Sequence, residues 1–130
     1  MRKELSPAER AYKESIKKPL EETVKIGEAD IVLGIPFYNE ADTIGHVVEV
    51  ARDGLNAYYP DTRCVICCVG APDGSKALAT VQEIPLPSRL SRIAFLMKNR
   101  SVSGKGWAVR AIMEIADSLA RTLSSLKQTC

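Results

Sequence analysis

The stretch Arg63-Cys64-Val65-Ile66-Cys67-Cys68-Val69 decides the fold, because after Arg63 every residue is apolar and most are small or β-branched. Six such residues are too few for a buried helix and suit a strand covered on both faces. Alternation places Cys64, Ile66 and Cys68 on one face and Val65, Cys67 and Val69 on the other. Two runs of similar character flank it: Asp30-Ile31-Val32-Leu33-Gly34-Ile35-Pro36 before, and Ile93-Ala94-Phe95-Leu96-Met97 after. A strand buried on both faces needs helices above and below, and the segments between the runs supply them. Ile44, Val47, Val48, Ala51 and Leu55 form one apolar face in the first connection. A short helix is expected over Lys76–Gln82, with Asp73 as its cap. The last helix carries a stripe of Ala108, Ile112, Ile115, Leu119, Leu123 and Leu126.

Ser6-Pro7-Ala8-Glu9 reads as a capping box with proline at the first helical position. Tyr12, Ile16, Leu20 and Val24 follow at intervals of four and predict an apolar stripe. Pro19 should kink or split this helix, because it removes a backbone donor. The order is helix, then three strand–helix pairs. It predicts an α/β fold: a three-layer (αβα), Rossmann-like parallel sheet of about three strands, over residues 28–130, with an N-terminal helical arm over 1–27.

With 130 residues and 45 % hydrophobic composition, the chain suits one domain and is neither collagen-like nor coiled coil. No apolar stretch approaches the ~20 residues of a membrane span, and the charged start Met1-Arg2-Lys3-Glu4 is unlike a signal peptide. The expected location is therefore cytoplasmic. Cys64 and Cys67 have C-x-x-C spacing, but neither a second pair nor a histidine cluster completes a zinc site. Reduced core cysteines are the expected reading.

The net charge of +2 hides an asymmetry. Residues 26–85 carry nine acids and three bases, whereas residues 86–130 carry eight bases and two acids. Such a division marks either an unevenly charged surface or a site for an anion. Aromatic residues are only 5 %, so a phosphorylated small molecule fits better than nucleic acid.

Ligands of parallel α/β sheets gather beyond the carboxyl ends of the strands. That rule nominates three loops. In Pro36-Phe37-Tyr38-Asn39-Glu40, Pro36 stiffens the strand exit, Tyr38 offers a face for a base, and Glu40 could accept hydrogen bonds from a ribose; a capping motif with a packed aromatic is the alternative. In Gly70-Ala71-Pro72-Asp73-Gly74-Ser75, Asp73 either caps a helix or faces the ligand. In the loop Asn99 to Gly106, which runs into Ser103-Gly104-Lys105-Gly106-Trp107, Gly104 and Gly106 would let the backbone approach a diphosphate beside the charge of Lys105; a solvated turn is the alternative.

Taken together, three motifs resemble the N-terminal half of a family 2 glycosyltransferase with the GT-A fold. They are Ile35-Pro36-Phe37-Tyr38-Asn39-Glu40-Ala41-Asp42-Thr43-Ile44, Pro72-Asp73-Gly74-Ser75, and Gly104-Lys105-Gly106-Trp107-Ala108-Val109-Arg110-Ala111. The resemblance covers about residues 28–120 and is nearest to enzymes that make glucosyl- or mannosyl-glycerate compounds. It implies a partial GT-A nucleotide-sugar-binding domain that takes a UDP- or GDP-hexose. Pro36, Tyr38 and Glu40 would line the nucleoside site, with Asp73 nearby and Lys105, between Gly104 and Gly106, near the diphosphate.

Two departures stand out. Cys68 and Val69 occupy the stretch where family members carry base-reading acids. The Asp-x-Asp motif that would hold a divalent cation (Mg or Mn) is absent, so no cofactor is expected within this chain. The expectation is an incomplete transferase, weak or inactive alone, with a non-catalytic assembly or regulatory module as the alternative. Two open sheet edges, and the N-terminal helix, predict a homo-oligomer.

Overall fold

The structure is a computed structural model that describes residues 6–38, 41–98 and 105–119, the Lys105 side chain excepted. Seven elements follow in chain order: α1 (Pro7–Ile26), β1 (Ile31–Phe37), α2 (Ala41–Tyr58), β2 (Cys64–Gly70), α3 (Ser75–Glu83), β3 (Leu90–Leu96) and α4 (Lys105–Leu119). The strands form one parallel sheet in the order β1-β2-β3, with Ile31 opposite Cys64 and Cys64 opposite Leu90. Helices cover both faces, giving the three layers expected of a Rossmann-like fold. Among the described residues, no helix is long and apolar enough to cross a membrane.

Alternation along β2 divides the core in two. Val65, Cys67 and Val69 join Ile93, Met97, Tyr12, Ile16 and Ile115 beneath α1 and α4. Cys64, Ile66 and Cys68 join Ile44, Val48, Leu55, Ala77 and Val81 beneath α2 and α3. Every residue of β2 is buried. The C-x-x-C pair therefore lies on opposite faces of the sheet, and its two thiols cannot share a metal ion.

Helix α1 is not interrupted. Ser6 Oγ accepts from the Glu9 amide at 3.1 Å, and Pro19 sits inside a helix that continues to Ile26. Pro19 faces the core with Tyr12, Ile16 and Thr23, so tertiary packing offsets the lost backbone hydrogen bond. The expected stripe is also corrected. A step of four overshoots a 3.6-residue turn, so the buried face drifts from Tyr12 and Ile16 to Pro19 and Thr23. Val24 is 78 % exposed. Thr23 Oγ1 instead meets Ser118 Oγ of α4 at 2.8 Å.

Three further expectations change. β3 begins at Leu90, not Ile93, because Ser91 and Arg92 also pair with β2. The Arg92 guanidinium is tied down there, donating to the Val81 and Ile84 carbonyls at the end of α3. Val47 of α2 is exposed rather than inward-facing. Asp73 does not cap α3; Gly74 holds that position without a side-chain hydrogen bond. Asp73→Ala should consequently change stability by less than about 0.5 kcal/mol, against about 1 kcal/mol for loss of a real cap. Urea titration of both proteins reads the difference.

Candidate functional site at the carboxyl end of the sheet

The described residues place two of the three nominated loops in contact. β1 exits through Phe37 and Tyr38, and β2 exits through Gly70 into Ala71-Pro72-Asp73-Gly74. The Ala71 amide donates to the Phe37 carbonyl at 3.2 Å, and the Gly74 amide to the Ala71 carbonyl at 3.0 Å. Two glycines permit this closeness. A Cβ at Gly74 would lie 2.9 Å from the Tyr38 carbonyl oxygen. A Cβ at Gly70 would overlap the Phe37 ring and lie 2.7 Å from Leu96 Cδ2. The Met97 amide donates to the Gly70 carbonyl at 2.8 Å and so aligns the third strand exit with the second.

Helix α4 approaches this end from the other face. Ile112 lies over Gly34 in the middle of β1, and the Ala29 amide donates to the Leu119 carbonyl at 3.3 Å. The helix therefore runs antiparallel to β1. Six residues separate Gly106 from Ile112, about 9 Å of helix, which equals nearly three strand residues. The first turn of α4 is thus level with Pro36 and Phe37. A bonded set of side chains holds it there. Arg110 makes a double contact with Glu9 of α1, at 3.1 and 2.6 Å, and lies 4.1 Å from the centre of the Tyr12 ring. Trp107 packs at 5.6 Å from Tyr12, so it anchors α4 on α1. Tyr12 Oη donates to Glu114 at 2.7 Å. The Arg110 contact holds the Glu9 carboxyl below its ordinary pKa, although Glu9 remains solvated.

Pro36 and Tyr38 line a depression of about 110 Å³ together with Thr43 and Val47 of α2. Tyr38 is 47 % exposed. Asp73 is exposed on the neighbouring turn, and Gly106 is exposed at the start of α4 with open space where a Cβ would be. Glu40, Gly104 and the Lys105 side chain lie outside the described residues, as does Asn39. No protein family, curated protein or solved structure matches this chain.

Three basic residues from the second half of the sequence have structural partners. Arg92 is bound to α3, Arg110 to Glu9, and Arg89 to Asn56. Among the described residues, no group of three or more His, Cys, Asp or Glu side chains is placed to hold a metal ion. Sequence reasoning missed the close packing at Gly34, whose signal was a glycine inside an apolar strand run, and read Gly70 only as the start of a turn. It also missed the Glu9–Arg110 contact, which links residues too far apart in sequence to be paired by pattern.

Proposed function

We propose that this chain binds a nucleoside diphosphate sugar at the carboxyl end of β1, as the nucleotide-binding segment of a glycosyltransferase. The full reaction would move a hexose from a UDP- or GDP-hexose to a small hydroxyl acceptor. One observation carries the binding site. α2 and α3 advance along one face from β1 towards β3, whereas α4 turns back across β1 and β2 on the other face. By the strand-end rule, this reversal predicts a crevice beyond β1, flanked by the starts of α2 and α4, where parallel α/β sheets take their ligands. Pro36 and Tyr38 stand in it, and the resemblance of the three loops to family 2 glycosyltransferases supplies the substrate class. Tyr38 would stack on the base. The amides of the first turn of α4 would face the diphosphate.

A second reading, a non-catalytic module of the same ancestry, is favoured by Cys68 and Val69. Both are fully buried, on opposite faces of β2, and neither can accept a base N–H. Amide NMR titration with UDP separates the two. Binding predicts shifts confined to Tyr38, Asp73 and Gly106 and their neighbours. Gly106→Ala should weaken binding while leaving the fold intact, since its Cβ meets nothing in the free protein. Spectra unchanged at millimolar UDP leave the module as the reading.

A further inference from the structure

Gly74 lies where the turn after β2 meets the exit of β1, against the main chain of Tyr38. We propose that Gly74 is a positioning residue for the nucleoside site. It sets the level of the Tyr38 main chain, and through it the gap between the Tyr38 ring and α2. The proposal deepens the nucleoside diphosphate reading above and rests on it.

α3 begins without a side-chain cap, and Gly74 holds the N-cap position at φ −94°. With φ negative, the backbone does not demand glycine. Ser, Thr, Asp and Asn are the residues that stabilise such a position. Space keeps them out. A Cβ here would lie 2.9 Å from the Tyr38 carbonyl oxygen and 3.2 Å from the Ala71 carbonyl oxygen. Every capping side chain carries that atom, so each would press on Tyr38. Gly74 itself is held on both sides. Its amide donates to the Ala71 carbonyl at 3.0 Å, and its carbonyl accepts from the Leu78 amide at 2.8 Å. Tyr38 is freer to yield, because it lies one residue beyond Phe37, the last residue of β1 paired to β2. An added methyl group therefore displaces Tyr38 rather than the turn.

The other wall of the depression is set by the same helix. Thr43 and Val47 of α2 line it together with Tyr38. α2 is seated on α3 at a second glycine, where a Cβ at Gly45 would lie 3.0 Å from Thr80 Cγ2. α3 thus carries α2 against Thr80 and Tyr38 against Gly74. A shift of Tyr38 alone changes the gap between the two walls. Stacking is sensitive to such a change, since an added gap of about 0.5–1 Å forfeits about a quarter to a half of a contact's attraction.

Tyr38→Ala, Gly74→Ala and the double variant, each titrated with UDP by amide NMR, test the proposal. Tyr38→Ala should weaken UDP binding at least about fivefold, the lower end of what stacking on one base contributes. Gly74→Ala should weaken it by a smaller factor, about threefold. In the double variant Gly74→Ala should add no further loss, because the ring through which it acts is gone. Without ligand, the Tyr38 amide resonance should move in Gly74→Ala and stay in place in Gly54→Ala, whose Cβ meets nothing. The amides of Val65 and Ile66 report in the same spectra that β2 remains folded. Losses that multiply in the double variant overturn the proposal. So does full UDP affinity, or an unmoved Tyr38 amide, in Gly74→Ala. A wild type that binds UDP no better than Tyr38→Ala removes the stacking role and the proposal with it. A wild type that ignores millimolar UDP overturns the nucleoside diphosphate reading itself, an outcome distinct from the others.

Discussion

Gly34→Ala should destabilise the protein by about 1–3 kcal/mol, the usual cost of forcing a methyl group into a packed core. The cause is one close approach. A Cβ at Gly34 would overlap Ile112 Cγ2 and lie 3.0 Å from Ile112 Cδ1. Cγ2 hangs directly on the branched carbon of a stiff side chain, so it cannot rotate out of the way cheaply. The relief must therefore come from removing that atom. Ile112→Ala should restore much of the stability lost by Gly34→Ala, whereas Ile112→Val retains Cγ2 and should not. A double-mutant cycle by denaturant unfolding would show a favourable coupling of about 1–3 kcal/mol with alanine and little with valine. Equal coupling for both variants would mean that α4 shifts bodily, and the contact would not be the cause. The pair also bears on the candidate site. Ile112 sets the height of α4 above β1, and hence the level of Gly106 relative to Pro36 and Tyr38.

The strands were legible in the sequence because burial on both faces leaves a continuous apolar run. β2 is the clearest case, and its alternating faces appear in the two core clusters. The start of β3 was hidden because Arg92 is a charged residue whose partners, the carbonyls of Val81 and Ile84, become visible only after α3 has packed. Thr23 was passed over for Val24 because hydrophobicity outweighed phase, while the helix obeys phase. At the site, the strand-end rule nominated the loops, and Tyr38 and Asp73 do lie on adjoining turns. The face on which α4 returns could not be read, because its apolar stripe would serve equally well above or below the sheet. That choice places Gly106 across the sheet from α2. Nor could the partners of three arginines be read: Arg89, Arg92 and Arg110 cluster in sequence, but each finds a structural partner in a different part of the fold.

Raising the pH should unfold the protein through its buried thiols, with the effect beginning near pH 9. Burial pushes the Cys67 and Cys68 thiols up to about 12, from an ordinary value of 9.0. Cys64 moves in the same direction, mainly through burial, with Asp30 adding to it. A group whose pKa is raised in the folded state holds its proton more tightly there than in the unfolded chain. Its contribution is complete below the unfolded pKa and declines as pH rises above it towards the folded value. For Cys67 and Cys68 that window runs from about pH 9 to about pH 12, and each thiol should remove roughly 1.4 kcal/mol per pH unit within it. Tyr12 adds to the loss above about pH 10, since burial and its hydrogen bond to Glu114 raise its pKa as well. Urea midpoints measured from about pH 8 to about pH 11 should fall steeply over the upper half of that range. Cys67→Ala/Cys68→Ala should begin less stable at pH 8 but lose less over the same interval, and this difference in slope isolates the thiols from the small cavities the substitutions leave. Native Cys67 and Cys68 should also resist a thiol-specific alkylating reagent at pH 8 until the protein opens. A flat stability profile, or alkylation of the native protein at the unfolded rate, would place these cysteines outside the core that β2 anchors.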